Sequence, residues 1–311
     1  MTGDHRNREA TQPLQRIALL KRKRHALILA HNYQRPEVQD IADYTGDSLE
    51  LSRIAAKSDE SVIVFCGVRF MAETAAILCP AKTVLLPIAE AGCALAEAAS
   101  AEQVRQARKQ YPDAVVVSYV NTSAEVKAES DLCCTSANAV EVVGSVEPKR
   151  PVIFVSDQHL GDYAARVTGR NVILWNGSCP THAAVSADDI GEARRRHPGA
   201  KVMAHPECKR EVLEMSDRVA GTAGMLHYAA EHKRDRAFIV VTDIGLLHRL
   251  RKENPDKEFY PATDYLVCPT MKLTTLKDVL CALETMTHRV VVEDRVRVRA
   301  RVALDAMLDV A

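Results

Sequence analysis

The stretch Ala26-Leu-Ile-Leu-Ala-His31-Asn-Tyr33, followed by Pro36-Glu37-Val38 and then Gly46-Asp47-Ser48, recurs twice further along the chain. The second copy reads Ala114-Val-Val-Val-Ser-Tyr119-Val-Asn121, Ala124-Glu125-Val126, Ser130-Asp131 and Thr135-Ser136. The third reads Ala200-Lys-Val-Met-Ala-His205-Pro-Glu207, Arg210-Glu211-Val212, Ser216-Asp217 and Gly221-Thr222. They superpose without a gap: Glu37, Glu125 and Glu211 each lie six residues after His31, Tyr119 and His205, and eleven before Ser48, Ser136 and Thr222. Each copy opens on a short apolar run, the mark of a buried strand, and turns helical near its Glu-Val pair. A second run follows in each, at Ser61–Phe65, Pro151–Val155 and Ala237–Val241, then a helix (Phe70–Leu78, Gly161–Thr168, Gly245–Lys252) and a third short strand.

Strands alternating with helices predict parallel sheets covered on both faces. The expected fold class is therefore α/β: three pseudo-symmetric three-layer α/β/α domains with short parallel sheets. The expected boundaries are 1–100, 101–186 and 187–269, with the helices of 270–311 packing back on the first domain. Loops at the carboxyl ends of parallel strands carry ligands, so equivalent loops of three domains predict an active site on a central pseudo-threefold axis.

A length of 311 residues exceeds what one hydrophobic core usually serves. With 41 Lys+Arg against 41 Asp+Glu and 47% hydrophobic residues, the composition is that of an ordinary globular protein and disfavours a nucleic-acid partner. The first 24 residues lack the apolar core of a secretory signal, and no run is long and apolar enough for a membrane span, so a cytoplasmic location is expected.

Nine cysteines in such a chain point to reduced thiols or ligands rather than to a disulfide framework. No CxxC pair occurs, so any metal site must draw on distant segments. Three cysteines hold equivalent places after the third strands, at Ala91-Gly-Cys93, Gly177-Ser-Cys179 and Leu266-Val-Cys268, and lie 56, 54 and 57 residues beyond the shared Glu. Three thiolates without a fourth ligand suit a closed zinc site poorly. They suit a four-iron cluster with one open iron, which acts as a Lewis acid on a substrate oxygen. The same axis would gather His31, Tyr33, Tyr119, Asn121, His205 and Glu207, with the hydroxyls of Ser48, Ser136 and Thr222 near helix N-termini that favour anionic groups. The shared Glu37, Glu125 and Glu211 are sufficiently explained as helix openers and stay outside the site. Cys66, Cys79, Cys133, Cys134 and Cys281 read as ordinary packing residues.

The strings His31-Asn-Tyr33, Gly46-Asp-Ser48, Gly67-Val-Arg-Phe-Met71, Ala91-Gly-Cys93, Asn121-Thr-Ser-Ala-Glu-Val-Lys127, Cys179-Pro180, His205-Pro-Glu-Cys208 and Cys268-Pro-Thr-Met-Lys272 together resemble the quinolinate synthase family, over about Ala26 to Lys277. The resemblance implies a transferase of NAD biosynthesis that condenses iminoaspartate with dihydroxyacetone phosphate to quinolinate, phosphate and water. It implies a 4Fe-4S cluster on Cys93, Cys179 and Cys268. It further implies substrate binding by His31, Ser48, Tyr119, Asn121, Ser136, His205, Glu207 and Thr222, with Glu207, His205, Tyr33 and Tyr119 as catalytic residues and Glu207 as the general acid/base. Functional coupling to an L-aspartate oxidase belongs to the same expectation. The chain departs from the family pattern at Ala220-Gly221-Thr222, where one hydroxyl is absent, and after Cys179-Pro-Thr-His182, where Ala183-Ala184 follows. The alternatives are a paralogous iron–sulfur dehydratase on a related substrate, a non-enzymatic iron–sulfur sensor, and a zinc-dependent sugar-phosphate enzyme. The roles of His182 and Cys208 are open at this point.

Overall fold

The computed structural model describes residues 3–310. In chain order the elements begin α1 (Gly3–Arg24), β1 (Ala26–His31), α2 (Pro36–Ile41), β2 (Tyr44–Gly46), α3 (Ser48–Lys57), β3 (Val62–Cys66), α4 (Arg69–Leu78) and β4 (Thr83–Leu85). The second repeat follows with α5 (Ala101–Gln110), β5 (Val115–Tyr119), α6 (Ala124–Ala128), β6 (Leu132–Cys134), α7 (Ala139–Ser145), β7 (Val152–Val155), α8 (Gln158–Thr168) and β8 (Val172–Leu174). The third comprises α9 (Pro180–Ala183), α10 (Ala187–Arg196), β9 (Lys201–Ala204), α11 (Arg210–Glu214), β10 (Arg218–Val219), α12 (Thr222–Glu231), β11 (Ala237–Val241), α13 (Leu246–Glu253) and β12 (Glu258–Pro261); α14 (Leu276–Thr285) and α15 (Asp294–Asp309) close the chain.

Each repeat makes one four-stranded, wholly parallel sheet of the same order, second strand–first–third–fourth: β2-β1-β3-β4, β6-β5-β7-β8 and β10-β9-β11-β12. The central strands are buried along their length because helices cover both faces. The third sheet shows the period-2 logic plainly. Val202, Ala204, Ile239 and Val241 point into a core with Ile190 and Val212, whereas Met203, Phe238 and Val240 point the other way onto Met225, Leu246 and Phe259. Burying each large side chain stabilises the domain by about 1.5–3 kcal/mol before the entropy of ordering is set against it.

The repeated aspartate has a structural reason. Asp43, Asp131 and Asp217 each accept a hydrogen bond from the second or third residue of a first strand, Ile28, Val116 or Val202, at 2.8, 2.8 and 2.9 Å. Their own backbone N–H groups return to the carbonyls of those same residues. Glu37, Glu125 and Glu211 are exposed in the first turns of α2, α6 and α11, where the helix dipole favours an acid. The adjacent Val38, Val126 and Val212 are fully buried.

The chain forms two compact units, one made of the residues up to Gly92 with Pro269–Val292, the other of Cys93–Cys268 with the chain from Glu293 onward. In the first, Ile17 and Leu20 of α1 and Val279 and Leu283 of α14 pack on Ile28, Val62 and Val64 of the sheet. In the second, α15 packs on α6 and β6: Arg299 pairs with the buried Glu129 at 2.9 Å, and the Asn138 amide donates to the Met307 carbonyl. The expectation that all of 270–311 returns to the first repeat is thus corrected in its second half. The helix α15 carries buried Ala300, Ala303, Leu304 and Met307, which find their apolar partner on the second repeat.

Candidate active site

In the second unit the loops after β5 and β9 carry the chemistry. Tyr119 ends β5, and the Asn121 carbonyl behind it accepts from the Ser156 hydroxyl at 2.8 Å. His205 follows β9, hydrogen-bonds through its backbone to the Val241 carbonyl, and accepts the Glu207 N–H on Nδ1 at 3.4 Å. That leaves the His205 proton on Nε2.

Glu207 is 3% exposed, and its carboxylate is the hub of the site. His182 Nδ1 lies 2.6 Å from Oε2, His205 Nδ1 lies 3.7 Å away, and the Tyr119 hydroxyl donates a further hydrogen bond. Burial by itself would raise this carboxyl, but the two imidazoles and the Tyr119 hydroxyl outweigh it and hold Glu207 below the usual carboxylate range. His182 rises from the short helix α9, started by Pro180 at its first turn. It stacks on His205 with ring centroids 4.5 Å apart, its Nε2 lies 2.8 Å from the Thr242 hydroxyl, and its Nδ1 lies 3.2 Å from the Cys179 sulfur. Burial pushes His205 down to about 3, opposed by Glu207 and assisted by His182, so this imidazole is neutral. One buried carboxylate thus sits among one neutral imidazole, one imidazole donor and one phenol.

The cysteines separate by environment. Cys93, Cys179 and Cys268 are half-buried, Cys281 is exposed, and the other five are buried. Burial, reinforced by Glu207 and by the Cys268 sulfur, pushes the Cys93 thiol up to about 12. Burial, then Glu207, then Cys93 and Asp157 raise Cys179 well above its ordinary value, against a hydrogen bond from the His182 backbone. Cys93 senses Cys268, and Cys179 senses Cys93. Thiols such as Cys93 and Cys179, whose ionisation is disfavoured by burial and by a neighbouring sulfur, suit a polycationic group, whose charge deprotonates a coordinating thiol outright. The donor set therefore fits a metal centre. A second donor set, Cys179, His182 and Glu207, has its ligand atoms within 4.8 Å of one another. Two light ligands on one tetrahedral ion, each about 2.0–2.2 Å from it, stand roughly 3.3 Å apart. His182 and Glu207, at 2.6 Å, are instead hydrogen-bonded to each other.

Ser136 and Thr222 also belong to this unit. Thr222 is the buried first residue of α12, and the residue before it, Gly221, packs so closely that a Cβ there would lie 2.8 Å from the Ser136 hydroxyl. Gly221, which stands where the family pattern has the further hydroxyl, thus brings its backbone close against Ser136. His31, Tyr33 and Ser48 belong to the first unit. There His31 accepts the Tyr33 N–H on Nδ1 at 3.2 Å, the same contact that His205 makes with Glu207, and its ring meets Tyr33 edge-on at 4.6 Å. Ser48 opens α3 behind the capping box of Asp47 and Glu50. Lys272 donates to the Tyr33 carbonyl and Arg35 to the Lys272 carbonyl, which tether that loop.

Sequence reasoning missed Thr242, Asp157 and Asp243. The last two accept the backbone N–H groups of Cys179 and Cys268 at 3.1 and 2.6 Å. Aligning the ends of β3, β7 and β11, Gly67-Val68, Ser156-Asp157 and Thr242-Asp243, would have exposed them. His182 is now placed beside Glu207. Cys208 is buried against the Val241 carbonyl at 3.8 Å, with its thiol pushed up by burial, and belongs to the core.

The family model described as Quinolinate synthetase A protein matches residues 15–309. The chain belongs to this family. It is 55% identical over 292 residues to a quinolinate synthase of Methanoregula boonei, covering 94% of this chain and 96% of the relative. It is 51% identical over 296 residues to that of Thermodesulfovibrio yellowstonii, covering 95% and 97%, and 51% over 297 residues to that of Methanosarcina barkeri, covering 96% and 97%. No described helix is long and apolar enough to cross a membrane.

Proposed function

We propose that the chain is a quinolinate synthase, condensing iminoaspartate with dihydroxyacetone phosphate to give quinolinate, phosphate and water on the route to NAD. The observation that carries this reading is the buried Glu207 carboxylate, hydrogen-bonded by His182 and Tyr119 beside the Cys93 and Cys179 sulfurs. Cys93, Cys179 and Cys268 would hold a 4Fe-4S cluster, which when bound supplies an iron with an open position for a substrate oxygen. Glu207, kept ionised by its hydrogen-bond donors, accepts the proton that a substrate carbon or nitrogen gives up as the ring is built, and the same donors favour its return to the carboxylate. His182 Nδ1 and the Tyr119 hydroxyl are the groups from which a leaving hydroxyl can draw a proton. His205, neutral and with its proton on Nε2, donates to substrate without adding charge. Asn121, Ser136 and Thr222 bind carboxylate or phosphate oxygens. By their repeat positions, His31, Tyr33 and Ser48 are also assigned to substrate, with Tyr33 as a further proton carrier.

Reduced thiols and an oxygen-labile cluster suit the cytoplasm, and an L-aspartate oxidase suits the supply of short-lived iminoaspartate. A sensor would have no use for a buried proton-transfer group beside its sulfurs. The test is anaerobic purification, iron and sulfide quantification, and an assay for quinolinate from the two substrates. Iron and sulfide without product would overturn the reading in favour of a related substrate.

A further inference from the structure

Two buried carboxylates lie against the sulfur loops. The registers Ala30↔Cys66, Ser118↔Val155 and Ala204↔Val241 make Val68, Asp157 and Asp243 equivalent, each two residues beyond a central strand. In all three repeats the next residue donates its backbone N–H to the carbonyl two residues before the cysteine: Arg69 to Ala91, Gln158 to Gly177 and Ile244 to Leu266, at 2.8, 2.8 and 2.9 Å. In the second and third repeats the carboxylate adds a second tie. Asp157 Oδ1 accepts from His159 and Leu160 at 2.9 and 2.8 Å while Oδ2 accepts the Cys179 N–H at 3.1 Å. Asp243 Oδ1 accepts from Gly245 at 2.7 Å while Oδ2 accepts the Cys268 N–H at 2.6 Å. In the first repeat Val68 offers no such group, and α4 begins without a side-chain cap.

Helix capping explains half of Asp157 but not Asp243, since the residue at the cap of α13 is Gly245. What the two share is the grip on a cysteine backbone. A Cβ at Gly177 would lie 2.3 Å from the Ser156 carbonyl, so the Cys179 loop is also pressed tightly onto the same strand end. We propose that Asp157 and Asp243 are positioning residues for the cysteine-held group, each docking one ligand cysteine's backbone onto its strand end so that the sulfur is preset before the group binds. This rests on the three-cysteine reading above. Presetting removes ordering cost from the binding step, and partners of ligands commonly change metal retention about 10–100-fold when lost.

The test uses the full chain, reconstituted anaerobically with iron and sulfide, and reads iron and sulfide per chain and the rate of iron release to a chelator. Asp157→Ser keeps a competent helix cap while losing the oxygen that reaches Cys179. Asp243→Asn keeps the shape of its side chain but sets an amide N–H against one backbone donor. Ser186→Ala removes the cap of α10, a helix that carries no cysteine, and controls for general loosening. The expected result is release about 10-fold faster or more in both aspartate variants, with native circular dichroism, and parental release in Ser186→Ala. Parental rates in the aspartate variants, or equal acceleration in Ser186→Ala, would overturn the proposal. A parent chain that takes up no iron and sulfide would instead overturn the three-cysteine reading itself.

Discussion

The loops after β5 and β9 begin from the same register and carry different chemistry, Tyr119-Val-Asn121 in one and His205-Pro-Glu207 in the other. The loops bearing Cys179 and Cys268, in the same two repeats, share their residue type, their backbone tie and their carboxylate partner. On the function proposed above, the loops that are alike would hold a symmetric group, and those that differ would offer an asymmetric substrate an acid, a base and an amide in distinct places.

Removing a sulfur should have the largest effect. Cys179→Ala or Cys268→Ala is expected to abolish both iron retention and quinolinate formation, whereas Cys79→Ala, in a buried apolar setting, should leave both at parental levels; equal losses would erase the distinction between the two loop classes. Next, Glu207→Gln should lower kcat by about 10²–10⁴-fold while iron and sulfide per chain stay unchanged, separating the catalytic loop from the ligand loop in one protein. If Glu207→Gln loses iron in step with activity, Glu207 serves the metal.

A smaller effect concerns acid stability of the cluster-free chain. His205 falls from 6.5 to about 3 in the folded state, so the unfolded chain binds this proton first. Stability is therefore lost as pH drops from 6.5 toward 3, with this residue contributing a slope of up to about 1.4 kcal/mol per pH unit. Urea unfolding of His205→Gln should show a correspondingly shallower dependence than the parent; an unchanged slope would mean that His205 is charged when folded. Smallest is a labelling difference: under native conditions without cluster, iodoacetamide should modify the exposed Cys281 first and leave Cys66, Cys133 and Cys134 unmodified, since burial pushes Cys66 and Cys133 to about 12 and Cys134 well upward. Mass spectrometry of digests reads this directly.

The parallel sheets were legible because gap-free self-similarity and β-branched runs are written along the backbone itself. The helices after β3, β7 and β11 begin close to the expected positions, α8 at Gln158 rather than Gly161 because Asp157 caps it, and the periodic apolar residues start only at Leu160. The equivalent cysteines were legible for the same reason. His182 was not, because its partners Glu207 and Thr242 lie 25 and 60 residues away, and nothing in a Cys-Pro-Thr-His string says where the ring will point. The destination of α15 was hidden too: its heptad-like apolar face says that it must be covered, not by which sheet layer.

The carboxylate clasp formed by Asp43, Asp131 and Asp217 closes each opening half-unit back onto its own strand, so the residues between strand end and clasp form a bounded insert of constant length. Evolution, or an engineer, can exchange such inserts like interchangeable bits in one tool handle. Grafting the 205–216 insert between the flanks of 119–130 would move a carboxylate and an imidazole to the end of β5 without renegotiating the framework around them.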